Sequence, residues 1–300
     1  MNDMEPLVSI CCLTYNHAPF IRKCLDGFLM QETSFPVEIL IHDDASTDGT
    51  DDIVREYAEK YPEKIFPLFE TENKYSNGYK GRMDTTFNYS RARGKYIASC
   101  EGDDYWTDPL KLQKQVDFME SHPDYSVCFH RYKFYYTEAD LYKEDGCAEL
   151  FAMNQAYATI SIDDFFHKWV TQPLTMLFRV SDFSFDWQPM YKNYRDSYEI
   201  YHLLKSGKSV VMNFCGGVYV QQKGGIYTSH SEAVNRKNSL MIARELYLVN
   251  NDAPTKRNYE NVLQWYLYNT RRWGDRRYVN AVRLLILNKN IRKFIRNVIR

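Results

Sequence analysis

The sequence predicts an α/β domain: a mostly parallel central sheet flanked by helices, with a helical appendage at the C-terminal end. Three observations carry this. Apolar runs and amphipathic helical stretches alternate four times within about the first hundred residues, a rhythm that requires a parallel sheet with right-handed crossovers. The apolar runs Leu7–Leu13, Val37–Ile41 and Tyr96–Cys100 each stop abruptly in a polar loop that leads to a helix. From about Ser231 the pattern turns helical and increasingly basic, which sets the expected division at residues 1–230 and 231–300.

Leu7–Leu13 is a short apolar run and reads as a buried strand. It ends in Thr14-Tyr15-Asn16-His17-Ala18-Pro19, where the proline marks a helix entry. The helix that follows places Phe20, Ile21, Cys24, Leu25, Phe28 and Leu29 on one face. Val37–Ile41 is the second strand, and its polar loop, His42 to Thr50, leads to a helix over Asp51–Lys60. Lys64–Phe69 is the third. A polar loop, Glu72–Arg82, precedes a helix near Asp84–Arg93. The fourth strand, Tyr96–Cys100, runs into Glu101-Gly102-Asp103-Asp104. Asp108 before Pro109 then opens a helix to Ser121, as a capping carboxylate followed by a residue that lacks only an N–H the first turn leaves unpaired.

Beyond Ser121 the reading is coarser. Tyr125–Tyr136 is a long aromatic strand, and Glu138–Gln155 a polar, weakly patterned connection. A short helix starts at Ser161, and Pro173–Val180 reads as a strand. The helix Arg195–Lys205 is expected to close on Gly207 as a glycine cap. Ser209–Phe214 and Gly217–Gln221 read as two separate strands, before a Gly224-Gly225 turn.

Composition excludes several classes. A net charge of −1 gives no general attraction to nucleic acid, so no such partner is expected. The seven cysteines are odd in number and show no C-x-x-C spacing, which argues against zinc and against a disulfide framework. They read as reduced, buried apolar residues, and the expected location is the cytoplasm. The acidic N-terminus enters a strand at once and does not resemble a signal peptide, and no apolar run reaches transmembrane length. The 25 tyrosines suit surfaces that stack on sugars or bases, although aromatic residues also simply fill cores.

The chemistry concentrates at Asp103 and Asp104. Both lie in the loop at the carboxyl end of a central strand, where open α/β sheets bind ligands. Adjacent carboxylates repel unless a cation joins them, and a hard divalent ion carrying phosphate oxygens is the natural guest. The plain alternative is an acidic surface turn.

Taken in order, Val8-Ser9-Ile10, Thr14-Tyr15-Asn16, Asp43 to Thr50, Gly94-Lys95-Tyr96-Ile97 and Asp103-Asp104 resemble the family 2 glycosyltransferases of GT-A fold, whose sheet is Rossmann-like. Glu101 to Trp106 with Lys111-Leu112-Gln113 is similar to the bacterial surface-polysaccharide subgroup. The resemblance implies inverting transfer of a sugar from a nucleotide-diphosphate donor, a UDP-sugar by preference, to a glycan or lipid-linked acceptor hydroxyl. It further implies that Thr14, Tyr15, Asn16 and Asp44 hold the base and ribose, that Asp103 faces ribose and donor sugar, and that Asp104 binds Mg2+ or Mn2+ on the diphosphate.

The residue chemistry agrees. Asp44 is able to accept the imide N–H of uracil, and Tyr15 to stack on the base. A metal on Asp104 would stabilise the leaving diphosphate. Arg82, with Lys80, would add positive charge near the phosphates, unless both are simply solvated loop residues. The resemblance implies a catalytic base at the start of a helix, which Asp196 of the Arg195–Lys205 helix matches, with Asp182, Asp186 and Glu199 as competitors and plain helix capping as the structural alternative. The family segment that often reads Tyr-Arg-x-His is here Tyr219-Val220-Gln221-Gln222. Gln222 stands where a metal-contacting His is usual, and Lys223 is placed to restore charge. That departure keeps open a catalytically impaired, sugar-nucleotide-binding member of the family, while a nucleotidyltransferase is disfavoured by the lack of a glycine-rich loop after the first strand.

The tail from Lys256 to Arg300 is basic, with Val279, Val282, Leu285, Ile286, Ile291, Phe294, Ile295 and Val298 at helical spacing. Two fates fit such a stripe. One is peripheral contact with the anionic inner face of a membrane, and the other is packing on the catalytic domain.

Overall fold

The structure, a computed structural model, describes residues 5–79, 83–168, 171–192, 195–223, 225 and 230–272. They fall into two compact units that divide between Ser229 and His230.

The first unit is built on one ten-stranded sheet. Its N-terminal half is parallel, in the order β3-β2-β1-β4, with β1 at Val8–Thr14, β2 at Val37–Asp43, β3 at Ile65–Phe69 and β4 at Tyr96–Ser99. Helices α1 (Ile21–Leu29) and α2 (Thr50–Lys60) are the crossovers. Ile10, Cys12, Ile39, Ile41 and Ala98 of these strands form one core with Ile21, Leu25 and Phe28 of α1, all at most 3% exposed. Burying each large aliphatic side chain here contributes about 2 kcal/mol.

The second half is mixed. It comprises β5 (Tyr105–Trp106), α3 (Lys111–Ser121), β6 (Tyr125–Tyr136), β7 (Leu141–Glu144), β8 (Tyr157–Ile160), α4 (Ile162–Lys168), β9 (Leu177–Arg179), α5 (Asp196–Ser206) and β10 (Lys208–Gln221). The sheet continues β4-β9-β6-β10-β5, with β7 paired to β6 and β8 to β10. β9 is antiparallel to both neighbours, whereas β6 and β10 run parallel. This is the expected α/β architecture.

Five local expectations change. The two expected strands after Gly207 are one long β10, broken in pattern by irregular pairing around Met212, Cys215 and Gly217. The polar connection after β6 contains β7, whose four residues are all exposed and so show no buried alternation. The strand expected from Pro173 begins as a 3-10 turn and is extended only over Leu177–Arg179. Asp84–Arg93 is two short turns rather than a regular helix. There the Arg91 guanidinium donates to the carbonyl of Phe87 within the segment and to those of Ile41 in β2 and Phe66 in β3, tying the segment to the sheet. Gly207 is not a left-handed cap: its φ of −173° and ψ of −171° are extended. Its role is close approach, since an added Cβ would stand 3.0 Å from Cβ of Ser126.

All seven cysteines are free, and six are buried. The second unit holds α6 (Glu232–Asn250) and α7 (Ala253–Arg272), joined by a left-handed Asn251. They pack through Ala243, Tyr259 and Leu263. Among the described residues no helix is long and apolar enough to cross a membrane. The basic stripe from Val279 to Val298 lies outside the described residues.

Candidate active site

Three strand ends are knitted together by backbone pairing. Thr14 is in register with Asp43, the Asp44 N–H donates to the Thr14 carbonyl at 3.0 Å, and the Gly102 N–H donates to the Leu13 carbonyl at 2.8 Å. Side chains then lock the loops. Asn16, in the left-handed region at φ 54°, donates its N–H to Ser46 Oγ and accepts the Thr47 N–H on Oδ1. Short polar side chains tolerate that conformation because they bond locally to backbone. Thr50 and Asp48 accept the N–H groups of His17 and Ala18.

Thr14 is buried with an unpartnered Oγ1, while Tyr15 is 43% exposed at the rim. Asp44 is 4% exposed, and its two oxygens accept the backbone N–H groups of Lys74 and Tyr75 at 2.6 and 3.1 Å. It therefore fixes the loop after β3, leaving further lone pairs for a ligand.

The loop after β4 reaches into this assembly through Gly102. An added Cβ there would sit 2.7 Å from Thr14 Oγ1 and 2.9 Å from His17 Nδ1, so a larger residue would push the two loops apart. On either side of it Glu101, Asp103 and Asp104 gather, with one ligand-capable oxygen from each lying within 4.8 Å of the others. Asp104 is 2% exposed and accepts the backbone N–H of Val220 at 2.8 Å. Asp103 accepts from Gln222 Nε2 at 2.9 Å and faces His17 Nε2 at 3.8 Å.

No lysine or arginine among the described residues pairs with these three acids. Their electrostatics show the strain of that. Burial, then Asp103 and Glu101, hold the Asp104 carboxyl well above the usual carboxylate range. Glu101 reaches solvent, yet desolvation together with Asp103, Asp84 and Asp196 pushes it to about 8. Asp84, from the segment before β4, is pushed by burial to about 7. The donors are all oxygen and mutually repelling, which fits a hard divalent cation such as Mg2+ or Mn2+.

Asp196 opens α5 and accepts its neighbour's N–H, Ser197, at 2.8 Å. Its charge adds to the upward push on Glu101 and on Tyr219, and although Asp196 reaches solvent, desolvation raises its own carboxyl. The competitors are engaged elsewhere. Asp182 pairs with Arg179 at 2.8 Å, Asp186 accepts from Ser184, and Glu199 is buried and accepts the Tyr89 hydroxyl.

Gln222 is at the cluster, where its amide nitrogen serves Asp103, so metal contact would have to use its carbonyl oxygen. Val220 contributes backbone rather than side chain, so the loss of the usual arginine leaves this contact intact. Lys223 pairs with Glu138 at 3.4 Å and is not among the cluster's partners. Arg82 and Lys80 lie outside the described residues. Sequence reasoning did not single out His17, Asp84 or Tyr219. Glu101 was legible in the acidic run, whereas Asp84 stands in a segment without pattern.

Residues 9–194 match the family model described as Glycosyl transferase family 2. Over 131 residues the chain is 47% identical to an uncharacterised protein of Mycobacterium tuberculosis, covering 44% of this chain and 36% of that protein. Over 134 residues it is 34% identical to WfaP of Escherichia coli, a UDP-Glc:alpha-D-GlcNAc-diphosphoundecaprenol beta-1,3-glucosyltransferase, covering 45% of this chain and 48% of WfaP. The match thus spans less than half the length of either relative. Among solved structures, S. aureus TarS in complex with UDP-GlcNAc is similar with a TM-score of 0.61 at 18% identity, over 89% of this chain and 72% of that one. The mannosyltransferase PcManGT of Pyrobaculum calidifontis, in complex with GDP-Man and Mn2+, has a TM-score of 0.55 at 16% identity, over 97% and 84%. At these identities the likeness is one of fold.

Proposed function

The chain belongs to glycosyl transferase family 2, and from that membership we propose that it is an inverting, metal-assisted transferase of GT-A fold. It moves a sugar from a nucleotide-diphosphate donor to an acceptor hydroxyl in the synthesis of a bacterial surface polysaccharide. The observation that carries the reading is the gathering of Glu101, Asp103 and Asp104 in the loop after β4, with oxygens within 4.8 Å of one another.

On this reading Thr14, Tyr15, Asn16 and Asp44 receive the nucleoside, with Tyr15 stacking on the base from the rim and Asp44 accepting an imide proton from a uracil. Asp103, steadied by Gln222 and His17, faces the ribose and donor sugar. Asp104, with Glu101 and Asp103 beside it, would hold Mg2+ or Mn2+; PcManGT, a fold relative, is complexed with Mn2+. When bound, the ion supplies Lewis-acid stabilisation of the leaving diphosphate.

The acceptor oxygen attacks the anomeric carbon, the bond from that carbon to the diphosphate oxygen breaks, and Asp196 takes the acceptor proton. Its raised affinity for a proton suits a base that must take one from a hydroxyl. The first unit is then the transferase domain and the second an appendage. WfaP's name carries a lipid-linked acceptor, and an acceptor of that kind would bring this chain to the inner membrane face.

A panel of sugar nucleotides, scored for release of nucleoside diphosphate with and without a chelator, tests the reading. Release from a uridine donor that depends on metal and on an added glycan acceptor is expected. No release from any donor would overturn it.

A further inference from the structure

Two buried polar atoms beside Gly102, Thr14 Oγ1 and His17 Nδ1, have no hydrogen-bond partner among the described residues. They lie 2.7 and 2.9 Å from the point where a Cβ on Gly102 would stand, so both border the same bare glycine Cα. Backbone bonds fix where the two side chains start. The Thr14 carbonyl accepts the Asp44 N–H at 3.0 Å, and the Leu13 carbonyl accepts the Gly102 N–H at 2.8 Å. The His17 N–H donates to Thr50 Oγ1 at 2.8 Å, and its carbonyl accepts the N–H groups of Phe20 and Ile21 at the entry to α1. Only side-chain torsions are left to set how the hydroxyl and the imidazole meet.

The other side of the imidazole decides where its proton sits. His17 Nε2 is 3.8 Å from Asp103 Oδ2, the same oxygen to which Gln222 Nε2 donates at 2.9 Å. A neutral imidazole carries one N–H. Were that proton on Nδ1, the Nε2 lone pair would face a carboxylate oxygen, and the two would repel. On Nε2 the proton is aimed at Oδ2, and a small rotation of the ring brings it into hydrogen-bond range. Nδ1 is then an acceptor, and the Thr14 hydroxyl is the donor that borders it.

We propose that His17 is a positioning residue for Asp103 and that the Thr14 hydroxyl holds it in its Nε2–H form. Thr14 donates to Nδ1, and Nε2 donates to Asp103 Oδ2 beside the Gln222 amide. With two donors on Oδ2, the carboxylate plane is fixed and Oδ1 is the oxygen turned to the nucleotide. The assignment rests on the transferase reading above. Within that reading it moves the Thr14 side chain from contact with the nucleoside to support of Asp103. Glycine at 102 belongs to the arrangement, because any side chain there would fill the point that hydroxyl and imidazole share.

Two measurements on the full chain test this. Long-range 1H–15N NMR at about pH 8, where an ordinary imidazole is neutral, reads the tautomer of His17 directly. A bare Nδ1 and a protonated Nε2 are expected, and a proton on Nδ1 overturns the proposal. Calorimetry with uridine diphosphate and Mn2+ then uses amide isosteres. The Gln amide nitrogen takes the place of Nε2, and the Asn amide nitrogen that of Nδ1. His17→Asn should weaken binding about tenfold, the scale of one lost bond to a charged group, and His17→Gln should recover most of that loss. Thr14→Val should weaken binding several-fold in the wild-type background, whereas Thr14→Ser, which keeps the hydroxyl, should bind better than Thr14→Val. In the His17→Gln background, where Nδ1 is gone, Thr14→Val should have little effect. Equal losses from Thr14→Val in both backgrounds, or equal losses in His17→Asn and His17→Gln, overturn the proposal and leave the transferase reading standing. A wild type that binds neither uridine nor guanosine diphosphate would instead overturn the transferase reading, and the role of His17 with it.

Discussion

The Tyr89 hydroxyl donates to the Glu199 carboxylate at 2.8 Å and stands 2.8 Å from Ser99 Oγ, and all three side chains are buried. A phenol has one proton. Its donation to Glu199 makes Ser99 the donor to Tyr89. The chain of bonds links the end of β4, which runs into the acid cluster, to the helix that opens with Asp196. It thereby sets the spacing between the two halves of the proposed site.

Tyr89→Phe should keep the ring packing and take one partner from a buried carboxylate, costing about 1–3 kcal/mol. Urea unfolding measures that loss. Turnover should fall with donor affinity kept, because the displaced group is the helix that carries the base. An unchanged kcat would show that α5 holds its position without this bond.

Asp104→Asn preserves an oxygen for the Val220 N–H and removes a charge that its neighbours oppose. Without metal the variant should therefore be more stable at neutral pH than the wild type. Added Mn2+ should raise the melting temperature of the wild type and not of the variant. Equal metal shifts in both would remove Asp104 from the ion's ligands.

Asp196→Asn retains shape and the bond to Ser197 but has no proton-accepting carboxylate. A fall of about 10²–10⁴ in kcat is expected, with donor affinity unchanged by calorimetry. Loss confined to donor affinity would place the base elsewhere.

Lys111 is fully buried, its Nζ has no hydrogen-bond partner, and its ammonium lies 3.8 Å from the centroid of the Trp106 ring. Burial lowers it to about 7, partly offset by Cys100 and Cys128. A free lysine titrates near about 10.4, so between these values the unfolded chain binds the proton more tightly. Stability should climb with pH through that window and be insensitive to this group below it. Lys111→Met should flatten the slope and stabilise the protein at pH 6 by on the order of 2 kcal/mol, the buried charge outweighing a lost cation–π contact. The same gain at pH 6 and at pH 10 would mean that charge is not the cause.

The tail carries a last prediction. If its basic stripe meets membrane, the full chain should sediment with anionic vesicles at low salt and be released at high salt. A chain truncated before Arg271 that binds equally well would refute this.

The parallel half of the sheet was legible because each of its strands is a short apolar run ending in a polar loop, a pattern set by burial on both faces. That Asp44, Asp103 and Asp104 stand just past strand ends and Asp196 at a helix start was legible for a related reason: the ends of elements are visible in sequence. The mixed half was not. β7 is wholly exposed, β10 changes register within itself, and the single-turn segments around Asp84 obey no period.

Partnerships were less legible still. That Gln222 serves Asp103, that Val220 acts through its backbone, and that Tyr89 ties Ser99 to Glu199 are contacts across 119, 116 and 110 residues for the pairs Gln222–Asp103, Val220–Asp104 and Tyr89–Glu199. Sequence determines which groups stand at the ends of elements, because local periodicity reports burial. Which of those groups meet, and which acid is left open to act while another is buried under a phenol, is decided only when crossover and register bring distant elements within about 3 Å of one another.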